Sequence, residues 1–184
     1  MLKDISPIYP LKPNRAHEVC GQAAYSFAFA LGAQGNGPIL WVREKWRADT
    51  INPSGFAGFL GPERVILVLT QDQNEALAGA EDALRSGATP LVVMELSKPV
   101  GLTAGRRLQL AAEAGQSTAL AVIPMDMGSN AAETRWRCEP VFDGEESTLQ
   151  RWELIKNKSG TLGAWNVRWD QSARRIFVVS KAGQ

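Results

Sequence analysis

The chain has 184 residues, of which 45% are apolar and 21% are charged, with 20 basic residues against 19 acidic ones. These values are typical of one globular domain of ordinary size and exclude a disordered chain. A formal net charge of +1 argues against a protein that coats nucleic acid, although it leaves room for a local basic face.

The N-terminal stretch from Met1 to Arg15 contains three prolines, so we expect an extended lead-in, followed by a single domain over residues 16–184. Strand and helix patterns then alternate. The predicted strands are His17–Cys20, Ile39–Val42, Val65–Leu69, Leu91–Met94 and Thr118–Ile123. The predicted helices are Gln22–Ala33, a short one opened by Asn52-Pro53, Asn74–Ser86 and Thr103–Ala114. This alternation predicts an α/β fold with a parallel central sheet.

Two of these helices carry further signals. Asp72 is placed to cap the third helix at its N-terminus and Gly87 to end it. The apolar residues of the fourth helix predict a buried stripe. Its members are Leu102, Leu108, Ala111 and Ala112.

After Pro124 the pattern changes to short runs of alternating polar and apolar residues separated by Gly, Ser and Asp. The runs are Thr134–Phe142, Leu149–Asn157, Ala164–Asp170 and Arg174–Ser180. Such runs predict an antiparallel meander that extends the sheet.

Cysteine and histidine are too few for the common sites built from them. Cys20 and Cys138 cannot form a disulfide framework, and His17 is the only histidine. Zinc sites usually take four ligands and hydrolytic triads need a histidine beside a nucleophile, so we expect no metal, no cofactor and no catalytic residue. We interpret His17 and Cys20 as structural. Without a signal peptide or an apolar run of about 18 residues, we expect a cytoplasmic protein without membrane contact.

Several strings resemble known proteins. Gln71 to Glu95 resembles the helix–strand unit before the second acidic motif of RecA recombinases, and Trp152 to Gly160 resembles the RecA strand that ends in Lys-Asn-Lys. The closer resemblance is to the ImuA family of RecA-like bacterial proteins. It rests on the segments His17–Gly21, Ile39–Val42, Leu102–Ala114 and Ala132–Pro140.

The resemblance implies a RecA-like core with helices on both faces of the sheet. It also implies an SOS-induced role in translesion DNA synthesis. The implied partners are a Y-family-like polymerase homologue, an error-prone replicative-type polymerase and RecA.

A RecA-type ATPase binds phosphates through Gly-x-x-x-x-Gly-Lys-Ser/Thr, where glycines let backbone amides approach and lysine neutralises charge. Here Gly21 is followed by Gln22-Ala23-Ala24-Tyr25-Ser26-Phe27, with no second glycine and no lysine. We therefore predict a degenerate phosphate-binding loop and no ATPase activity.

Four residues match other positions of a RecA-type nucleotide site. Glu44 follows a strand where the catalytic glutamate would lie, or is an exposed charge. Glu95 ends a strand where the magnesium ligand would lie, or is a structural carboxylate paired with Lys or Arg. Lys156 and Lys158 match lysines that reach a neighbouring subunit's nucleotide. They could instead contact DNA or an acidic partner, or be solvated turn residues.

The candidates for contact with DNA or a partner are two basic pairs, Arg106 with Arg107 and Arg135 with Arg137. Strand alternation predicts that Trp136 points away from its two neighbours and into the core. The segments that match the two DNA loops of RecA, Leu96–Gly101 and Pro124–Asn130, are short. We therefore expect contact with DNA to be indirect or weak.

Three functional hypotheses follow. The first is a non-enzymatic accessory protein that acts through protein contacts, with Trp46, Phe56 and Phe59 either anchoring partners or packing against the sheet. The second is a degenerate ATP-binding protein that retains weak binding of nucleotide or single-stranded DNA. The third is an unrelated α/β enzyme. We favour the first, and the oligomeric state stays open.

Overall fold

In the computed structural model, the described residues are 5–142 and 148–181. They contain nine strands. These are β1 (Ala16–Cys20), β2 (Ile39–Glu44), β3 (Val65–Thr70), β4 (Leu91–Glu95), β5 (Thr118–Val122), β6 (Thr134–Pro140), β7 (Gln150–Asn157), β8 (Gly163–Asp170) and β9 (Arg175–Lys181). The α-helices are α1 (Ala24–Ala33), α2 (Pro53–Phe56), α3 (Gln73–Ser86) and α4 (Leu102–Ala114). A short 3₁₀ turn at Pro62–Arg64 leads into β3.

All nine strands form one sheet in the order β3-β2-β4-β5-β1-β6-β7-β8-β9. Every pairing from β3 to β6 is parallel, and the pairings from β6 to β9 are antiparallel. The prediction of an α/β fold with a parallel centre and an antiparallel C-terminal extension is confirmed.

The sheet is covered by helices on both faces. On the first face, which we call the α1 face, the lead-in, α1 and α2 pack over a core that includes Trp41, Trp136 and Trp152. On the second, the α3–α4 face, these two helices pack over Val42 and Met94. Aromatic residues therefore fill one side of the sheet, while small and aliphatic residues fill the other.

Residues 5–15 of the lead-in contain no helix or strand, and the amides of Ile8 and Tyr9 donate to the carbonyl of Ile5, so this part forms a turn instead of extended chain. Residues 1–4 lie outside the described part. The side chains of Tyr9 and Leu11 are buried in the α1-face core. His17 joins the lead-in to the sheet, because its Nε2 lies 2.9 Å from the carbonyl oxygen of Lys12 and its Nδ1 lies 2.7 Å from Oγ1 of Thr134. The structural interpretation of His17 matches these contacts.

Local signals explain where helices begin and end. Asp72 accepts a hydrogen bond from the amide of Glu75 at 2.9 Å and caps α3. Gly87 ends α3 with a φ of +65°, in the left-handed region that glycine adopts easily. Leu102 was predicted in the core, but it is 48% exposed; it is the first residue of α4, and the first buried residue of this helix is Gly105.

Candidate functional site

The turn between β1 and α1 is where the RecA resemblance places the phosphates of a nucleotide. Gly21 has a φ of +96°, and a Cβ atom there would lie 2.3 Å from the carbonyl oxygen of Cys138. The amide of Gln22 donates to Oε2 of Glu139 at 3.2 Å, and the amide of Ala23 donates to the carbonyl of Cys138 at 2.9 Å. A carboxylate is favourable at a helix N-terminus. Glu139 therefore takes the place that a bound anion takes at other helix N-termini.

Glu95, at the end of β4, is enclosed by donors from other elements. It is 1% exposed. Its Oε2 accepts a hydrogen bond from the hydroxyl of Tyr25 at 2.9 Å, and its Oε1 accepts one from the indole nitrogen of Trp41 at 2.7 Å. Oε2 also lies 3.3 Å from Nη2 of Arg43 and 3.6 Å from Nε of Arg47. These are the contacts of a structural carboxylate whose charge is compensated inside the protein.

Tyr25 is held in the form that can donate to Glu95. Burial raises the pKa of the Tyr25 hydroxyl, and the charge of Glu95 raises it further. Its ring also stacks on Trp41, with ring centroids 5.8 Å apart. Helix α1 and strand β2 are thus joined over the carboxylate by both packing and hydrogen bonds.

Glu44 ends the neighbouring strand but lies on the other face of the sheet. Side chains alternate along β2, so Trp41 points to the α1 face, whereas Val42 and Glu44 point to the α3–α4 face. Glu44 is only 3% exposed, which contradicts its interpretation as an exposed charge. The two glutamates of the predicted nucleotide site therefore do not point to the same place.

The surroundings of Glu44 favour its charged form. Burial acts to raise its pKa, but the side chains of Ser97 and Trp46 and the charge of Arg47 outweigh this effect and hold the pKa below its ordinary value. Oε2 of Glu44 has no hydrogen-bond partner among the described residues. Glu44 is thus a buried carboxylate near cationic groups.

The two candidate lysines donate hydrogen bonds to backbone carbonyls of the segment before β6. Lys156 Nζ donates to the carbonyls of Ala132 and Asn130, the latter at 3.3 Å, and Lys158 Nζ donates to Ala131 at 2.8 Å. Burial lowers the pKa of Lys156, and the charge of Lys158 lowers it further.

These lysines lie far from the glutamates. Three strands, β5, β1 and β6, lie between β4 and β7. At about 4.8 Å per strand, the backbones of Glu95 and Lys156 are roughly 19 Å apart. The four residues predicted from the RecA pattern are thus distributed over two faces and two regions of the sheet.

The four candidate arginines also lie in two separate places. Arg106 and Arg107 are on the exposed side of α4, where Nη2 of Arg107 is 2.8 Å from Oε2 of Glu81 on α3. Arg137 is on β6, with Nη1 3.9 Å from Oε2 of Glu153. They therefore do not combine into one continuous basic surface.

Arg135 serves an internal contact. Its Nε donates to Oε2 of Glu18 at 2.8 Å and its Nη2 to the carbonyl of Ser129 at 2.9 Å. Oε1 of Glu18 accepts a hydrogen bond from the amide of Ser129 at 2.7 Å. This group joins β1, β6 and the segment between β5 and β6. Trp136 is fully buried, as strand alternation predicted.

Comparison with known proteins identifies the family of the chain. No family model matches it. Two curated relatives, both named Protein ImuA and from two strains of Caulobacter vibrioides, are each 33% identical over 148 aligned residues. The chain belongs to the ImuA family. The alignment covers 70% of the chain and 59% of each relative, so the chain spans about three fifths of the length of these ImuA proteins.

In this ImuA-family chain, two of the three aromatic candidates for partner contact pack inside. Phe56 is 3% exposed and stacks on Phe29, and Phe59 stacks on Trp169 with ring centroids 4.9 Å apart. Trp46 is 62% exposed. Only Trp46 of these three is thus available on the surface for a partner.

Metal-binding clusters and membrane-spanning helices are both absent from the described residues. Within residues 5–142 and 148–181, His, Cys, Asp and Glu side chains form no group of three that could hold a metal ion. In the same part of the chain, every helix is too short or too polar to cross a bilayer.

Sequence reasoning missed the donors that enclose Glu95. Tyr25 lies in an apolar helix and Trp41 in an apolar strand, so both seemed to be ordinary core residues. Arg43 stands next to Glu44 and Lys45 in the sequence, and such a charged run usually indicates exposed residues. A signal was present in the alternation of β2, which puts Trp41 and Arg43 on one face, but their meeting with Glu95 depends on the pairing of β2 with β4.

Proposed function

We propose that this chain is a non-enzymatic accessory protein of DNA damage-induced mutagenesis, and that it acts through protein contacts in error-prone translesion DNA synthesis. Membership of the ImuA family supports the pathway. The geometry at the β1–α1 turn and at Glu95 supports the non-enzymatic mode of action.

The observation that carries the proposal is that the protein's own groups take the positions a nucleotide would need. The amides of Gln22 and Ala23 already donate to Glu139 and Cys138. Charge-assisted hydrogen bonds contribute about 1.5–3 kcal/mol each, and a phosphate would first have to displace the carboxylate of Glu139. No lysine follows in the turn to compensate the added negative charge.

Glu95 supports the same conclusion. A magnesium ligand needs oxygen lone pairs that point to an open position. Both oxygens of Glu95 accept hydrogen bonds, and two arginines lie beside it. A metal ion there would face Arg43 and Arg47 at short range, which is unfavourable.

A RecA-like origin of the core, a degenerate phosphate-binding loop and a cytoplasmic location belong to the same proposal. The proposed partners are the Y-family-like polymerase homologue, the error-prone replicative-type polymerase and RecA. Exposed groups such as Trp46, Arg106 and Arg107 are candidates for these contacts. DNA would be reached through the partners.

A complementation experiment tests the proposal. Deletion of the gene should lower damage-induced mutation to the spontaneous level, and the wild-type chain should restore it. Glu44→Gln keeps the shape of the only side chain placed as a catalytic glutamate but removes its charge. We expect this variant to restore mutagenesis as well as the wild type. Loss of function by Glu44→Gln at normal protein abundance, together with ATP turnover by the wild-type protein, would contradict the proposal.

Co-elution with a partner tests whether the contact needs nucleotide. The purified chain should co-elute with at least one proposed partner after all nucleotide has been removed enzymatically. Co-elution that appears only when ATP and Mg²⁺ are added would show that nucleotide controls the contact, and would exclude a nucleotide-independent adaptor.

A further inference from the structure

The edge strand β3 exposes apolar side chains on both faces of the sheet. Among the described strands it pairs only with β2. Ile66 is 47% exposed, Leu67 47% and Leu69 60%. Leu67 and Leu69 lie on the α1 face with Val65, whereas Ile66 lies on the α3–α4 face with Val68.

This edge has none of the features that usually protect a sheet edge. Soluble proteins discourage pairing at an edge with charged residues, proline or a bulge. The sequence of β3, Val-Ile-Leu-Val-Leu-Thr, has no charge and no proline, and its register with β2 is regular over six residue pairs. The opposite edge strand, β9, begins with Arg175 and ends with Lys181. Of the two edges that the described strands form, only the β3 edge has an uncharged sequence.

We propose that β3 pairs antiparallel with β3 of a second copy of this chain, about a two-fold axis that passes beside Leu67. Residues that are opposite each other in an antiparallel pair lie on the same face of the sheet. Because the odd-numbered and even-numbered residues of β3 lie on different faces, two opposite residues must be both odd or both even. The register centred on Leu67 satisfies this condition and pairs all five apolar residues of β3. It puts Val65 opposite Leu69 and Ile66 opposite Val68, while Leu67 faces Leu67 of the second copy.

The flanking residues are compatible with this register. Arg64 would be opposite Thr70, and Glu63 would be opposite Gln71, so no like charges meet across the axis. All five central pairs are apolar, which favours the second copy over a partner strand that carries charges. The symmetric pairing is isologous and closes after two copies.

The proposed contact is small. A standard stable interface buries about 800 Å² on each partner, and one six-residue strand edge contributes only a part of that area. We therefore expect a dimer that dissociates at micromolar concentrations. This contact involves neither the β1–α1 turn nor any of the proposed partners.

Analytical ultracentrifugation from about 1 to about 100 µM tests the dimer. The wild-type protein should change from monomer to dimer over this range. Leu67→Lys places two like charges beside the axis and should keep the protein monomeric. Leu110→Lys is the matched control, because Leu110 is 62% exposed on α4, and this variant should dimerise like the wild type. A wild-type monomer at every concentration, or equal loss in both variants, would overturn the proposal.

Cysteine cross-linking tests the register. The native Cys20 and Cys138 are buried. Leu67→Cys should form a disulfide-linked dimer on oxidation, because opposite Cα atoms of an antiparallel pair lie about 4.5–5.5 Å apart, within the range that a disulfide spans. Leu69→Cys lies on the same face, but its counterpart would be four residues away along the strand, about 13 Å, so it should stay unlinked. Linking of Leu69→Cys without linking of Leu67→Cys would refute this register.

Discussion

Acidification should destabilise the protein through His17. His17 is 1% exposed, and burial lowers its pKa from 6.5 to about 4. The indole of Trp136 donates to Oγ1 of Thr134 at 3.1 Å, so the hydroxyl of Thr134 is free to donate to Nδ1 of His17. Nε2 of His17 then donates to the carbonyl of Lys12. This chain of hydrogen bonds uses neutral His17. A second proton on Nδ1 would turn Thr134 from donor to acceptor and leave the Thr134 hydroxyl without Nδ1 as its acceptor.

The sign and size of the effect follow from the two pKa values. Below pH 6.5 the unfolded chain binds a proton on His17 that the folded protein does not bind until about pH 4. Stability is therefore complete above pH 6.5 and falls as the pH decreases toward 4. A difference of 2.5 pKa units corresponds to about 3.4 kcal/mol in full, and to about 2 kcal/mol between pH 8 and pH 5.

Urea unfolding monitored by tryptophan fluorescence at several pH values measures this effect. His17 is the only histidine, so few other side chains titrate between pH 5 and 7.5. His17→Gln should be less stable than the wild type at pH 8 but should lack most of the decrease between pH 7 and pH 5. Parallel pH profiles for the two proteins would refute the reasoning, because they would show that His17 does not supply the linkage.

Two further substitutions test the contacts around β6, with a third as a control. Gly21→Ala should destabilise the protein by roughly 1–3 kcal/mol, because Gly21 has a positive φ and its Cβ would meet the carbonyl of Cys138. Gly35→Ala, which has open space around it, should change the free energy of unfolding by less than about 1 kcal/mol. Arg135→Met should cost roughly 3 kcal/mol, because it leaves the buried carboxylate of Glu18 unpaired. Urea unfolding measures all three, and a cost for Arg135→Met below about 1 kcal/mol would show that Glu18 finds another partner.

The existence and type of the main helices and strands could be predicted because each carries a strong local signal. Asp72 and Gly87 delimit α3, and alternation predicted that Trp136 would face the core. Local signals do not determine the lateral order of strands, however. The apolar run Val65–Leu69 was the clearest strand pattern, yet it forms an edge, and Leu69 is 60% exposed.

The candidate site was less predictable because it depends on contacts between distant elements. Glu95 was selected correctly as a strand-end residue, but its partners come from α1 and β2 and meet it only through tertiary packing. The sequence pattern assigned Glu44 to the same nucleotide site as Glu95. The positions of the two residues along their strands differ by one residue, however, so the side chain of Glu44 points to the other face of the sheet. Helix α1 was predicted from Gln22, but the turn extends to Ala23, because its amides bond to β6.

Calorimetric titration of the purified, folded chain with ATP and Mg²⁺ would decide whether the protein binds nucleotide, with single-stranded DNA as a parallel titrant and a RecA-type ATPase as the positive control. We expect no binding heat for ATP at concentrations up to about millimolar, because Glu139 occupies the α1 N-terminus and Glu95 is enclosed by Tyr25, Trp41 and Arg43. Binding of ATP with a micromolar dissociation constant would contradict this expectation, and would mean that these groups open to form a nucleotide site.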